Sequence, residues 1–501
     1  MSYRSGAIHI RCGNQGSKRS KGVTGVDDKQ RIMQIIEDKS QEFIEAADHI
    51  WGTPETRFAV KESVQQHYKV LEQEGFDIEK GVGHMDYAYV ATWGSGRPVI
   101  GITGEYDALG GLSQVADLGE HKPLVEGGNG QGCGHNILGM AAVAAGVGIK
   151  TFMEEKGLKG TIKVFGCPAE ESGYGKAFMA RDGVFDGLDL ALSWHPSDVT
   201  QAWGSSSLAV LQAYFDFTGV PAHAAAAPEL GRSALDAAEL MNVGVQFLRE
   251  HMIDEARVHY AFIDAGGESA NVVQSHARLY YFVRAPRMDQ AQDLFKRVEK
   301  IAQGAALMTE TQVKEEFDAA CYNFIPNHPL TEAIDRNLDL VGPLPLDQQE
   351  LDYERRYTDT VPDAGKQRVL GRTKAAFPDL PDEEVRKMAE STMALKKYPL
   401  VFTDTASGST DVGDVSWQTP TAQFSGGFEP QGTSAHSWQW AANGKSSVAH
   451  KGLLAAGKTL ALTAYDAFTD PDLVKAAKED FDKTFAGQEY KVVIPDDVMP
   501  H

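Results

Sequence analysis

Cysteine is scarce in this chain: Cys12, Cys133, Cys167 and Cys321 are the four in 501 residues, with no framework spacing. That scarcity argues against a disulfide-stapled secreted fold and makes reduced thiols in a cytoplasmic setting the expectation. Basic charge is short as well, with 48 Lys and Arg against 70 Asp and Glu, a formal net charge of −22. A general nucleic-acid surface is not expected on such a chain, although a local basic pocket can sit inside a negative envelope. Long apolar runs are missing too. The longest, residues 137–149, holds three glycines and ends at Lys150, so a buried helix is expected there and no membrane partner. The first 26 residues lack acidic side chains altogether. Their basic, Ser- and Gly-rich composition suits a transit peptide, but no amphipathic pattern accompanies it. Residues 1–26 are therefore expected to form a disordered extension, and no secretory signal is visible.

What is present is a chain long enough for two domains, with 42% hydrophobic and 24% charged residues, as in a soluble globular protein. From Lys29 to Glu74 apolar residues recur at helical spacing. Short strand-like runs follow, "YAYVATWG", "RPVIGITGEYDAL", "GTIKVFGCPAEE" and "LDLALSWHP", with a helical run from about Asn136 to Gly157 between the second and third. Strands alternating with helices imply an α/β sheet. The pattern then changes at "LAVLQAYFDFTGV" to strand, helix, strand, strand, helix, ending near Val313, the outline of a small inserted α+β unit. Beyond it the chain reads as charged and helical (residues 332–397), then Gly- and Ser-rich (403–438), then as a closing helix from about Val448. No internal repeat is found.

Several of these segments end in polar clusters: Glu105 and Asp107, Glu170-Glu171, His195, with "GCGHN" just ahead of a helix and "GTSAHSW" far downstream. In an open α/β sheet, ligands bind beyond the carboxyl ends of strands. Taken alone, Cys133-x-His135 is a buried thiol, a reactive thiol with its base, or a ligand pair. Paired glutamates usually form a solvated face, and Trp-His-Pro usually a packed turn. It is the convergence that points to chemistry. Thiolate, imidazole and carboxylate together bind Zn²⁺ and related metals. Adjacent carboxylates at a strand end point in opposite directions, so one can hold metal while the other takes a proton from water.

With "GEYDALGG", "GQGCGHN", "CPAEE", "SWHP", "GVPAHAAAAPELGRSALDA", "GESANVV", "GSTDVGDVSW" and "GTSAHSW" in this order, the chain resembles peptidase family M20. Within the family it is similar to the amidohydrolase subfamily, and there to the branch of the B-type p-aminobenzoyl-glutamate hydrolase subunits. The resemblance runs from about Lys29 to the C-terminal helix. It implies a zinc-peptidase-like α/β catalytic domain, a mixed sheet flanked by helices, formed by residues 27–212 and 314–501. An inserted α+β lid and dimerisation domain would occupy 213–313. It also implies two divalent metal ions per protomer, Mn or Zn, with Cys133 bridging and His135, Glu171, His195 and His436 completing the shells. Glu170 would be the general base acting on metal-activated water. His223 and Asn271 would close over the substrate, His223 often from the other protomer, and Arg284 would pair with a substrate carboxylate. Asp107 would support the ligands from behind, and Glu105 is not expected to be one. The implied reaction is cleavage of an N-acyl amino acid, first p-aminobenzoyl-glutamate to p-aminobenzoate and glutamate. Indole-acetyl conjugates or dipeptides are the alternatives. The implied partner is a second copy, bound through the lid to form a homodimer, or a homologous chain.

Two departures from the family pattern stand out. Shorter relatives read Cys-Gly-His-Asp where this chain has Asn136, a change expected to alter how His135 is oriented or how tightly metal binds. Many relatives also read Asp-x-Asp where this chain has Glu105-Tyr106-Asp107. The charged segment 346–397, longer than in the shorter enzymes, favours the B-type branch. Two rival readings remain open: a cysteine-nucleophile hydrolase using Cys133 and a histidine, and a non-catalytic chain that keeps the fold.

Overall fold

A computed structural model describes residues 21–500. Most of the expected N-terminal extension lies outside these residues, and a helix, Lys21–Asp38, takes in its last six. The main sheet has seven strands in the spatial order Asp77–Lys80, Tyr89–Ser95, Gly160–Cys167, Val99–Glu105, Leu190–Ser197, Thr421–Gly427 and Gln201–Ala202. The four from Gly160–Cys167 to Thr421–Gly427 run parallel, and antiparallel strands close both sides, so the sheet is mixed. Parallel strands are covered on both faces. Accordingly, every residue of Val99–Glu105 after the first is buried.

One face carries the helix His135–Lys156, packed against Ser447–Thr469, with Lys21–Asp38 and Ser40–Gly52 outside it. His135–Lys156 is long and apolar enough to span a membrane by composition, yet it is almost wholly buried in this core. Gly139 shows how close the packing is: an added Cβ would collide with the backbone oxygen of Glu105. Only glycine lets the helix lie on that strand end.

The second sheet is antiparallel, in the order Gln312–Cys321, Ala209–Thr218, His276–Ala285, Arg257–Asp264, backed by the helices Ala234–Leu248 and Met288–Thr309. In His276–Ala285 burial alternates strictly, with Ala277, Leu279, Tyr281, Val283 and Ala285 facing the helices, as a one-sided sheet requires. Ser233 accepts the N–H of Asp236 and so starts its helix.

Two strands escape the sequence pattern. Gln312–Cys321 begins where the inserted unit reads in the sequence as complete. Its outer half, "QVKEE", is mostly polar and exposed, so no apolar alternation marks it. Thr421–Gly427 lies in the Gly- and Ser-rich stretch, where glycine and serine read as loop, yet it pairs in parallel with Leu190–Ser197.

Candidate metal centre

The strand Val99–Glu105 has its successor Gly160–Cys167 on one side and Leu190–Ser197 on the other. Such a reversal of strand order opens a crevice beyond the carboxyl ends. Glu105 and Asp107, Glu170-Glu171 and His195 enter it from the three strand ends. Cys133 and His135 come from the loop that starts the central helix. Gly134 makes that entry possible: its φ is +74°, and a Cβ there would meet Pro196 at 3.2 Å. Ala169 takes the left-handed region, φ +62°, in the turn that carries the two glutamates, a strained conformation for a side chain with Cβ. His436 arrives on a distant loop, and its N–H donates to Gly132 O at 2.9 Å.

The ligand atoms of Cys133, His135 and His195 lie within 4.8 Å of one another. So do those of Cys133, Glu171 and His436, and those of Glu105, His135 and Glu170. Cys133 is the corner shared by the first two sets. His195 places Nε2 3.5 Å from Cys133 Sγ while its Nδ1 lies 2.8 Å from Pro196 O. His135 has Nδ1 at 3.1 Å from Asp107 O and 3.2 Å from Asp107 Oδ1. In both rings Nδ1 faces an oxygen acceptor, an arrangement that in the neutral imidazole favours the proton on Nδ1 and turns the Nε2 lone pair toward the cluster. Asp107 Oδ2 accepts the N–H of Glu171 at 3.0 Å, so one side chain steadies two neighbours. His436 Nε2 lies 3.2 Å from Glu171 Oε2.

Do these residues fit metal ions? His135 Nε2, Glu171 Oε1 and Glu105 Oε2 are all buried without a hydrogen-bond partner among the described residues, and Glu171 Oε1 lies 3.8 Å from His135 Nε2. Buried polar atoms are rarely left unpaired. Here a thiol, imidazole lone pairs and carboxylate oxygens turn to one spot, the donor chemistry of divalent metals. The fit is good.

Electrostatics separates the two glutamates. Burial, then the charges of Glu105 and Glu171, push the Glu170 carboxyl well above the usual range. Burial acts on Glu171 in the same sense, but the hydrogen bond with His436 and the charge of His135 override it and bring Glu171 to about 2. Burial, with Glu171 next, pushes the Cys133 thiol well up.

The chain thus brings Cys133, His135, Glu170, Glu171, His195, His436 and Asp107 together. His223 and Asn271 are exposed and engage their own loop: His223 Nδ1 accepts the N–H of Ala225 and of Ala226, and Asn271 O accepts that of Ala224. Arg284 donates to Ser409 Oγ at 2.8 Å, and its buried Nε has no partner among the described residues. Asn136 turns away from the cluster, donating to Gly444 O at 2.8 Å and Ala47 O at 3.4 Å. Asp107, not Asn136, faces the Nδ1 of His135. Sequence reasoning also overlooks Lys176, which joins Glu105 to Asp411 in full burial. A lysine in a helix carries no local signal of such a place, though Asp411 lies within the "GSTDVGDVSW" mark.

A thiol, three imidazoles and a carboxylate ringed by a buried acid at a sheet-edge crevice define a metal-dependent hydrolase. Comparison with known proteins agrees. Residues 209–309 match the peptidase dimerisation domain. The chain is 42% identical to the B-type p-aminobenzoyl-glutamate hydrolase subunit of Escherichia coli over 94% of this chain and 98% of that one. It is 29% identical to the mouse Xaa-Arg dipeptidase over 90% and 92%. The fold is shared with a dinuclear-metal-binding M20 peptidase of Bacillus subtilis, with a TM-score of 0.50 and 16% identity over 88% of this chain and 99% of that one. The chain belongs to peptidase family M20, among its amidohydrolases.

Proposed function

We propose that this chain hydrolyses the amide of an N-acyl amino acid, with p-aminobenzoyl-glutamate as the first substrate and Glu170 as general base. Cys133, His135, Glu171, His195 and His436 would hold two divalent cations, Mn or Zn, which when bound acidify water and polarise the scissile carbonyl. Glu170 accepts the proton as the water oxygen bonds to the carbonyl carbon. It then passes that proton to the nitrogen as the C–N bond breaks, releasing carboxylate and amine. Its buried position raises its proton affinity, which suits a group that must both take and return a proton. Arg284, with its free Nε, suits a substrate carboxylate.

The inserted unit, assigned as 213–313 within a catalytic domain of 27–212 and 314–501, presents the open edge of Arg257–Asp264. Tyr260, Phe262 and Ile263 are exposed there, as are Val243 and Phe247 on the adjoining helix. That apolar patch supports pairing with a second copy or a homologous chain, which would bring His223 and Asn271 over the partner's crevice. The free thiols of Cys133, Cys167 and Cys321 support a reducing, cytoplasmic setting.

The observation that carries the proposal is the pair of imidazoles tied back at Nδ1, with partnerless carboxylate oxygens around the same thiol. It also weighs against a cysteine nucleophile, which would use one histidine and leave Glu171 and His436 without a role. The test is metal-reconstituted protein assayed on acyl-amino acids in which acyl group and amino acid vary independently, dipeptides included. Two bound equivalents, and activity lost to chelator and restored by Mn²⁺ or Zn²⁺, are expected. Full activity in chelator sinks the metal reading, and no amine release from any member favours the non-catalytic alternative.

A further inference from the structure

Lys176, in the first turn of Gly175–Arg181, is wholly buried. Its ammonium donates to Glu105 Oε1 at 2.5 Å and to Asp411 Oδ1 at 2.6 Å, and its backbone N–H donates to Asp411 Oδ2 at 2.9 Å. Two carboxylates and one ammonium leave this trio with one uncompensated negative charge. Buried charge persists when it is paired or coordinates a metal. Asp411 has both oxygens engaged by Lys176, so the surplus falls on Glu105, whose Oε2 is free.

That oxygen is aimed at the cluster. Glu105 Oε2 lies 3.4 Å from His135 Nε2, and neither atom has a hydrogen-bond partner among the described residues. With its proton on Nδ1, where Asp107 O and Oδ1 both face it, a neutral His135 turns its Nε2 lone pair to Glu105. Two buried lone pairs therefore face each other at a separation that a shared cation would relieve. The third partnerless atom, Glu171 Oε1, approaches the same His135 Nε2 from another strand end.

We propose that Glu105 is a further metal ligand of this centre, beyond the five donors named above, with Lys176 as the positioning residue that occupies Oε1 and turns Oε2 to the cation. This reverses the expectation drawn from the sequence, and it rests on the dinuclear reading. The ammonium is what makes the arrangement workable. It cancels Asp411, fixes the Glu105 rotamer from behind, and leaves one carboxylate charge for the metal.

The test is metal uptake by the full-length apo chain, titrated with Zn²⁺ against a chelating dye and with Co²⁺ followed by its visible absorption. Glu105→Gln keeps the shape and an acceptor for Lys176 while removing the charge. It is expected to weaken one of the two sites by tenfold or more and to change the cobalt spectrum. Glu105→Asp, which withdraws the carboxylate by one methylene, is expected to fall between. Lys176→Met with Asp411→Asn preserves the trio's net charge but frees Glu105, and a loss in the same direction is expected. Lys176→Arg is expected to recover most of it. Two equivalents at wild-type affinity with an unchanged cobalt spectrum in both Glu105 variants would overturn the inference. A wild-type chain that takes up no divalent metal defeats the dinuclear reading itself, a different and distinguishable failure.

Discussion

Replacing Asp107 tests whether the centre is held from behind, because this one side chain does two jobs that can be separated. Its Oδ1 faces His135 Nδ1 at 3.2 Å and its Oδ2 accepts the N–H of Glu171 at 3.0 Å. In Asp107→Ala both contacts vanish, although His135 Nδ1 keeps the backbone carbonyl of residue 107 at 3.1 Å. Partners of this kind typically contribute 10- to 100-fold in metal affinity, or about 1.4 to 2.8 kcal/mol. In Asp107→Asn the amide oxygen can still accept from one donor only. The other donor, for which the Glu171 N–H is the candidate, is left facing an NH₂ group, at a cost of roughly 1–3 kcal/mol. The retained imidazole contact places this variant nearer tenfold than 100-fold. The assay is competition between apo protein and a chelating dye, with circular dichroism as the check on folding. Wild-type affinity in Asp107→Ala would refute the claim that Asp107 orients His135 and Glu171. A loss equal in both variants would refute the division of labour between its two oxygens.

Three further outcomes are expected. Glu170→Ala should lower kcat by about 10²- to 10⁴-fold with metal content near that of the wild type; unchanged turnover removes Glu170 from the mechanism. Arg57, in the turn after Ser40–Gly52, pairs with the fully buried Asp318 of the strand Gln312–Cys321 at 2.6 Å. Breaking a buried pair costs about 3–5 kcal/mol, and the partial exposure of Arg57 lowers this, so Arg57→Ala should lose roughly 2–3 kcal/mol in urea unfolding; a change within error denies the pair a structural role. Partial desolvation, then the neighbouring carboxyl of Glu299, raises the largely exposed Glu315 to about 7. Its folded state therefore favours the proton. The penalty for ionising is absent below the ordinary carboxyl range near 4.5, grows as pH rises toward about 7, and is constant above. Glu315→Gln should gain stability relative to wild type across that window, and parallel stability curves for the two proteins would contradict the raised value.

The legibility of this molecule follows the range of its interactions. The strand ends carrying Glu105, Glu170-Glu171 and His195 can be read because each closes a local apolar run. The buried helix can be read because its composition leaves it nowhere else to go. Thr421–Gly427 cannot, since its glycines and serines read as loop until Leu190–Ser197 offers its edge. Asn136 reads in the sequence as a change in the site, and the fold turns it toward Ala47 and Gly444 instead.

By itself, the order of residues determined the donor types, the alternation of strands and helices that gathers them at one sheet edge, and the family. These rest on side-chain chemistry and on periodicities of two and 3.6 residues, which are properties of neighbours in the chain. Only the tertiary structure decided which groups meet. Lys176 finds Glu105 71 positions away and Asp411 235 positions away, and that meeting leaves Glu105 Oε2 facing His135. The physical reason is that burial makes a charge depend on whichever group the fold places beside it, and no local pattern records that neighbour.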